Sequence, residues 1–273
     1  MAQWPPATGG GETTGPSSSN TGADQVTAVA ASASTNTKGS YVTVRTLTGD
    51  VDGLLIAYSV ATANVRSLFD IAVGGAGSEV TIVEDLHYSA QAGLTQWFYV
   101  PVSVPSGTVV RARHACSTGS TTGHVAIHEI KGGWFVPPPG GGCVTWGADA
   151  SDSGGTLLDA GAAANTFGAV VQLIASTVND VRAVCVQLGG NANTAPTGAN
   201  FAVRVLVGGS GSEVEVATVG FRASANADAY GPLGCTWLPC SIPAGSRVSA
   251  RLASGSTDAT DRTCDVVVYG LES

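Results

Sequence analysis

The sequence predicts an all-β protein: two tandem antiparallel β-sandwich domains of jelly-roll-like type, with an extended N-terminal arm and a Pro/Gly linker. Three observations carry this. Short stretches alternate apolar and polar residues with a period of two. Clusters of Gly, Pro, Asn and Ser punctuate them at roughly the 8–12-residue spacing of an all-β sandwich or barrel. Three blocks of sequence each recur once, in the same order, along the 273 residues.

The alternation marks the strands. In the first half it is seen in Tyr41-Val42-Thr43-Val44-Arg45, Val80-Thr81-Ile82-Val83, Trp97-Phe98-Tyr99-Val100-Pro101-Val102 and Val125-Ala126-Ile127-His128-Glu129-Ile130. The second half repeats it in Phe201 to Val207, Val214-Glu215-Val216 and Val266 to Tyr269. Side chains of a strand point to opposite faces in turn, so such segments bury one face and wet the other. Asp24 to Ser34 is rich in alanine, but its counterpart Thr156 to Ala163 contains Gly161, which favours an extended segment over a helix.

The repeat shows a duplication. Thr35-Asn36-Thr37-Lys38-Gly39 matches Ala164-Asn165-Thr166-Phe167-Gly168 at an offset of 129 residues. The stretch Phe69 to Val80, ending Gly74-Gly75-Ala76-Gly77-Ser78-Glu79-Val80, matches Val203 to Val214, ending Gly208-Gly209-Ser210-Gly211-Ser212-Glu213-Val214, at 134. Val104 to Arg113 matches Ile242 to Arg251 at 138. The offset grows along the chain, as expected when strands are kept and loops drift. Within these blocks, Val-Pro-x-Gly reads as a corner between strands, because proline fixes φ and glycine accepts a positive one.

Domains are therefore expected at 24–131 and 153–273. A flexible arm, 1–23, precedes the first, and a Trp/Pro/Gly-rich linker, 132–152, precedes the second. Prolines extend such segments and glycines free them. Each carries an apolar tip that could order on a neighbouring chain: Trp4, Pro5 and Pro6 in the arm, Trp134, Phe135 and Pro137 in the linker.

Composition excludes several classes. Charged residues are 12% of the chain, against about 25% in an average soluble domain. The net charge is -8, with only two lysines, Lys38 and Lys131, and ten scattered arginines. A phosphate backbone would find little counter-charge here, so direct nucleic-acid binding is not expected. No apolar run approaches the 18 or so residues of a membrane-spanning helix, so no membrane insertion is expected. The start, Met1-Ala2-Gln3-Trp4-Pro5-Pro6, lacks the basic and apolar regions of a secretory signal, so synthesis in the cytoplasm is expected. Without such a signal the six cysteines are expected to be reduced.

Chemistry is sparse. No serine stands in G-x-S-x-G. The two Gly-rich runs precede strand patterns instead of helices, so neither is a phosphate loop. His124 and His128 would share a metal on a helix, but on a strand they lie about 13 Å apart. Cys235 and Cys240 lack the second pair a zinc site needs. No cofactor, metal or catalytic set is assigned. Glu79 and Glu213 occupy one equivalent place, and Arg113 and Arg251 another, so Glu79–Arg113 and Glu213–Arg251 are candidate structural ion pairs. Trp97 and Trp237 lie in corresponding strand regions; either could stack on a sugar ring, although core packing is the commoner role of such a residue.

The run Leu68 to Val80, followed by Pro101 to Thr108 and Arg111-Ala112-Arg113, resembles a β-domain found among structural proteins of tailed bacteriophage particles, and the likeness extends over both copies. It implies a non-enzymatic virion component on the head or tail surface, a decoration or fibre subunit. Such a subunit would attach through its arms, form homo-oligomers and contact other virion proteins. A carbohydrate-binding module for host surface glycans is the alternative.

Overall fold

The computed structural model describes residues 13–14, 26–60, 62, 65–88, 95–131, 142–148, 154–189, 200–223, 230–231 and 236–273. Among these residues the protein is all-β, in four antiparallel sheets, with one short 3-10 turn at Ala259–Asp261.

The first nine strands are β1 (Thr13–Thr14), β2 (Thr27–Ala30), β3 (Val42–Thr46), β4 (Gly53–Val60), β5 (Ser67–Val73), β6 (Val80–Tyr88), β7 (Gln96–Val100), β8 (Val109–Cys116) and β9 (Thr122–Ile130). They form one sheet in the order β1-β9-β4-β7, with β2 also on β9, and a second in the order β3-β8-β5-β6. The rest are β10 (Cys143–Trp146), β11 (Thr156–Asp159), β12 (Val171–Ile174), β13 (Val181–Gly189), β14 (Asn200–Val207), β15 (Val214–Ala223), β16 (Tyr230–Gly231), β17 (Leu238–Ile242), β18 (Val248–Ser254) and β19 (Thr263–Glu272). Their sheets run β10-β19-β13-β17, with β11 also on β19, and β12-β18-β14-β15-β16. The second diagram is the first one redrawn, with β16 added. In both, the chain crosses repeatedly between two facing sheets, which is the jelly-roll arrangement.

Local chemistry makes the copies alike. Gly107 and Gly245, of the Val-Pro-x-Gly and Ile-Pro-x-Gly corners, both have φ of 79°. Their amides donate to the carbonyls of Leu47 and Thr177 at 2.9 and 2.8 Å. Asn36 and Asn165 both take positive φ, at 53° and 60°. In the two Gly-Ser-Glu hairpins the Gly77 and Gly211 amides donate to Oε2 of Glu79 and Glu213, both at 2.9 Å. The hairpin contacts are local, whereas the corner amides reach carbonyls far away in the chain, so the corners are alike because both copies share one fold as well as one motif.

One apolar core lies between β10–β19 sheets, around Trp146, Leu158, Val184, Phe201 and Val268. The other lies within the first copy, around Phe69, Phe98, Leu54 and Ile127, and it includes Cys143, Cys185, Val267 and Tyr269 from the second. Strand β19 is therefore buried on both faces: Val266 and Val268 point into their own copy, Val267 and Tyr269 into the other. Its run Val266-Val267-Val268-Tyr269, counted among the alternating segments from the sequence, is therefore corrected to an apolar run without alternation, as two covered faces require.

Three expectations need correction. Thr13–Thr14, inside the expected arm, pairs with β9, and Cys143–Trp146, inside the expected linker, pairs with β19. Each adds a strand to a β9 or β19 edge that offers unpaired backbone groups. Cys185 is disulfide-bonded, whereas Cys116, Cys143, Cys240 and Cys264 are in no disulfide, so the expected reduced state does not hold for Cys185.

Candidate functional site

Strands β6 and β7 end the two sheets of the first copy on the same side, where a sandwich exposes unpaired backbone groups. Side chains of the second copy satisfy them. The Glu84 amide donates to Thr145 Oγ1 at 3.1 Å, and the His87 amide to Gln187 Oε1 at 2.9 Å. The Tyr269 hydroxyl lies 2.9 Å from the Glu84 carbonyl oxygen and 3.0 Å from that of Asp85. On β7 the carbonyl of Tyr99 accepts the indole N–H of Trp237 at 3.0 Å. Phe98 packs edge-on against Tyr269, with centroids 5.1 Å apart. The imidazole of His87 lies against Gly154, and burial pushes its pKa down to about 4.

Behind β6 lies a buried ion network. Lys38 Nζ is 2.9 Å from both Asp70 Oδ2 and Asp85 Oδ1, and Arg113 Nε is 2.6 Å from Asp70 Oδ2. Burial opposes the charge on Lys38, yet the two aspartates outweigh it and hold its pKa above the ordinary value. In the second copy the repeat alignment puts Phe167 in the place of Lys38, Arg204 in that of Asp70 and Arg251 in that of Arg113. There the guanidinium carbons of Arg204 and Arg251 lie 4.0 and 5.0 Å from the Phe167 ring centroid. One place in the fold is thus filled by ions in one copy and by cation–π stacking in the other.

The expected pairs are displaced. Glu79 meets Arg111, at 3.2 Å, and not Arg113; Glu213 meets Arg247, at 2.7 Å, and not Arg251. Register explains it. Arg113 sits opposite Asp70, whereas Arg111 sits opposite Ala72, nearer the hairpin tip that carries Glu79. Arg251 sits opposite Arg204, while the Arg247 carbonyl bonds Gly208 at the tip.

The two tryptophans part company. Trp97 is 45% exposed on β7, its ring 5.4 Å from that of His128. Trp237 is half-buried at the junction, against Phe98. His124 and His128 are on strand β9, and His114 is buried, stacked on Phe69 at 4.5 Å. Trp4, Pro5, Pro6, Trp134, Phe135 and Pro137 lie outside the described residues.

Between β6 and β10 the junction opens into a groove of about 310 Å³. Its walls include Ile82, Ile174 and Val178 and the acidic residues Glu84 and Glu272; among the described residues no Lys or Arg lines it. Sequence reasoning missed the groove and the junction residues Thr145 and Gln187, which accept, and Tyr269, which donates. Only the unbroken apolar run of β19 hinted that this strand has two covered faces.

No family model matches this chain, and no curated protein matches it. Solved structures resemble it weakly. PNGF-II aligns over 92% of this chain and 66% of its own, at 8% identity and a TM-score of 0.42, so the chain spans just under two thirds of that protein. The STIV MCP aligns over 91% and 95%, at 10% identity and 0.32. The CBM22-1-CBM22-2 tandem domain of Xyn10C from Paenibacillus barcinonensis aligns over 85% and 82%, at 10% identity and 0.24. Likeness at this level assigns no function.

Proposed function

We propose that the protein is a non-enzymatic structural subunit of a bacteriophage virion. It sits on the head or tail surface as a decoration or fibre component, is made in the host cytoplasm, attaches through its arm and assembles with itself or with neighbouring virion proteins. The observation that carries the reading is the junction: side chains of the second jelly roll bond the edge strands β6 and β7 of the first, which joins the two copies and protects those two edges. A low-charge surface suits packing against other subunits, and an acidic net charge limits contact with packaged DNA. The disulfide at Cys185 suits a final station outside a reducing cytosol. The test is particle incorporation of a chain lacking residues 1–12, which leaves β1 in place. Loss of incorporation with unchanged folding is expected; normal incorporation would refute attachment through the arm.

A second reading, recognition of host surface glycans, is favoured by Trp97 alone, whose exposed ring beside His128 could stack on the apolar face of a sugar. A glycan array is the check. Hits that vanish in Trp97→Ala support this reading, and an array without hits removes it.

A further inference from the structure

Arg204 and Arg251 are directly opposed residues of β14 and β18. Each stands between core residues, Val203 and Val205 for one and Ala250 and Leu252 for the other, so both side chains point to the outer face of their sheet. Phe167 lies beside them and takes both guanidinium groups on its ring. Stacking leaves their hydrogen bonds open. The Nε–H of each arginine is buried and makes no hydrogen bond. Glu215 Oε2 stands 3.0 Å from Arg204 Nε as an ion-pair partner only. Arg251 has no hydrogen-bond or ion-pair partner among the described residues. A buried charged donor without an acceptor is costly, so its survival in a native fold calls for an explanation.

The first copy shows what such a group takes. At the equivalent place Arg113 donates from Nε to Asp70 Oδ2 at 2.6 Å, and Lys38 and Asp85 complete a set of two cations and two carboxylates. The second copy has two cations there, Arg204 and Arg251, and one carboxylate, Glu215. Access differs as well. The Asp70 side chain is fully buried, whereas those of Arg204 and Glu215 are 33% and 43% exposed, so a solute can reach the outer ends of the guanidinium pair. We propose that Arg204 and Arg251, held side by side by Phe167, form a binding site for the carboxylate group of a small monoanionic ligand, each guanidinium donating one N–H to it. Guanidinium and carboxylate match in planarity and in the spacing of donors and acceptors. Charge selects the class further: two cations less Glu215 leave one positive charge, which a monoanion neutralises, whereas a dianion would be repelled by Glu215. The site lies on the outer sheet of the second copy, outside the junction, and its failure would leave the virion reading untouched.

Acetate is the probe, because it is a carboxylate with little else attached. The full chain carrying isotope-labelled arginine is titrated at constant ionic strength, and the Nε–H resonances are followed by NMR. Those of Arg204 and Arg251 are expected to shift saturably, while that of Arg113, already bonded to Asp70, stays in place. Chloride should produce no saturable shift, and inorganic phosphate, mostly dianionic at alkaline pH, should bind no more tightly than acetate. Arg251→Gln should weaken acetate binding by roughly tenfold or more, as befits loss of a charge-assisted hydrogen bond. Phe167→Leu, which keeps both arginines and removes the ring that aligns them, should weaken it less. Shifts that never saturate, an equal response to chloride (an adventitious ion only), tighter binding of phosphate, or full acetate affinity in Arg251→Gln would each overturn the proposal. Were Arg251→Gln to fail to fold, the acetate, chloride and phosphate titrations of the natural chain still decide the matter.

Discussion

The Tyr269 hydroxyl reaches from the second jelly roll to the Asp85 carbonyl oxygen of the first, 3.0 Å away, inside a core to which both copies contribute. Tyr269→Phe removes the donor and leaves buried carbonyl groups of β6 with one partner fewer. It should destabilise the protein by about 1–3 kcal/mol in urea denaturation, the cost of an unsatisfied buried group. Because the core is shared, the natural chain should unfold in one transition. Two resolved transitions would contradict the shared core.

Lys38 and Phe167 are equivalents that cannot be exchanged. Lys38→Phe removes the ammonium shared by Asp70 and Asp85, whose side chains are fully buried, and leaves Asp70 with Arg113; it should cost up to about 3–5 kcal/mol, as when one partner of a buried pair is removed. Phe167→Lys sets a third cation beside Arg204 and Arg251. It forfeits two cation–π contacts, about 0.5–1 kcal/mol each at a half-exposed site. Chemical denaturation of both variants checks the asymmetry, and equal effects would argue against it.

Register makes a claim about coupling. A double-mutant cycle on Glu79 and Arg111, each mostly buried at the side chain, should return a coupling energy of about 0.5–1 kcal/mol. The cycle on Glu79 and Arg113 should return a value near zero. A reversed result would mean the hairpin pairs differently in solution.

Acid should weaken the fold in a definite window. Burial holds the pKa values of His87 and His114 down, from 6.5 to about 4. The unfolded chain takes up protons below about pH 6.5 while the folded chain does not, so stability falls as pH drops from about 6.5 to 4, by up to about 3 kcal/mol per histidine, and levels below that. Denaturation midpoints between pH 7 and 4 measure the slope. His114→Phe, which keeps an aromatic ring on Phe69, should flatten it; an unchanged slope would remove His114 as a contributor.

Much of the architecture was legible because it rests on local rules. The period of two placed β3, β7 and β14 within a residue or two of their ends, and it found β6 and β9 but stopped at Val83 where β6 runs to Tyr88 and began at Val125 where β9 begins at Thr122. The Pro-x-Gly corners and Gly-Ser-Glu hairpins were readable because a positive φ restricts residue choice at one position. The partners of Glu79 and Glu213 were not readable. A shift of two positions along a strand keeps a side chain on the same face, so alternation cannot choose between Arg111 and Arg113; only the pairing of β5 with β8 does.

Taken alone, the amino-acid order determined the β class, the twofold writing of one domain and the corners that join its strands, since each depends on neighbours in the chain. The folded chain decided how the copies meet. Thr145, Gln187, Trp237 and Tyr269 close β6 and β7, and Glu272 faces a groove, only because segments tens to nearly two hundred residues apart are brought together. Those contacts depend on the position of whole sheets, which no local propensity encodes.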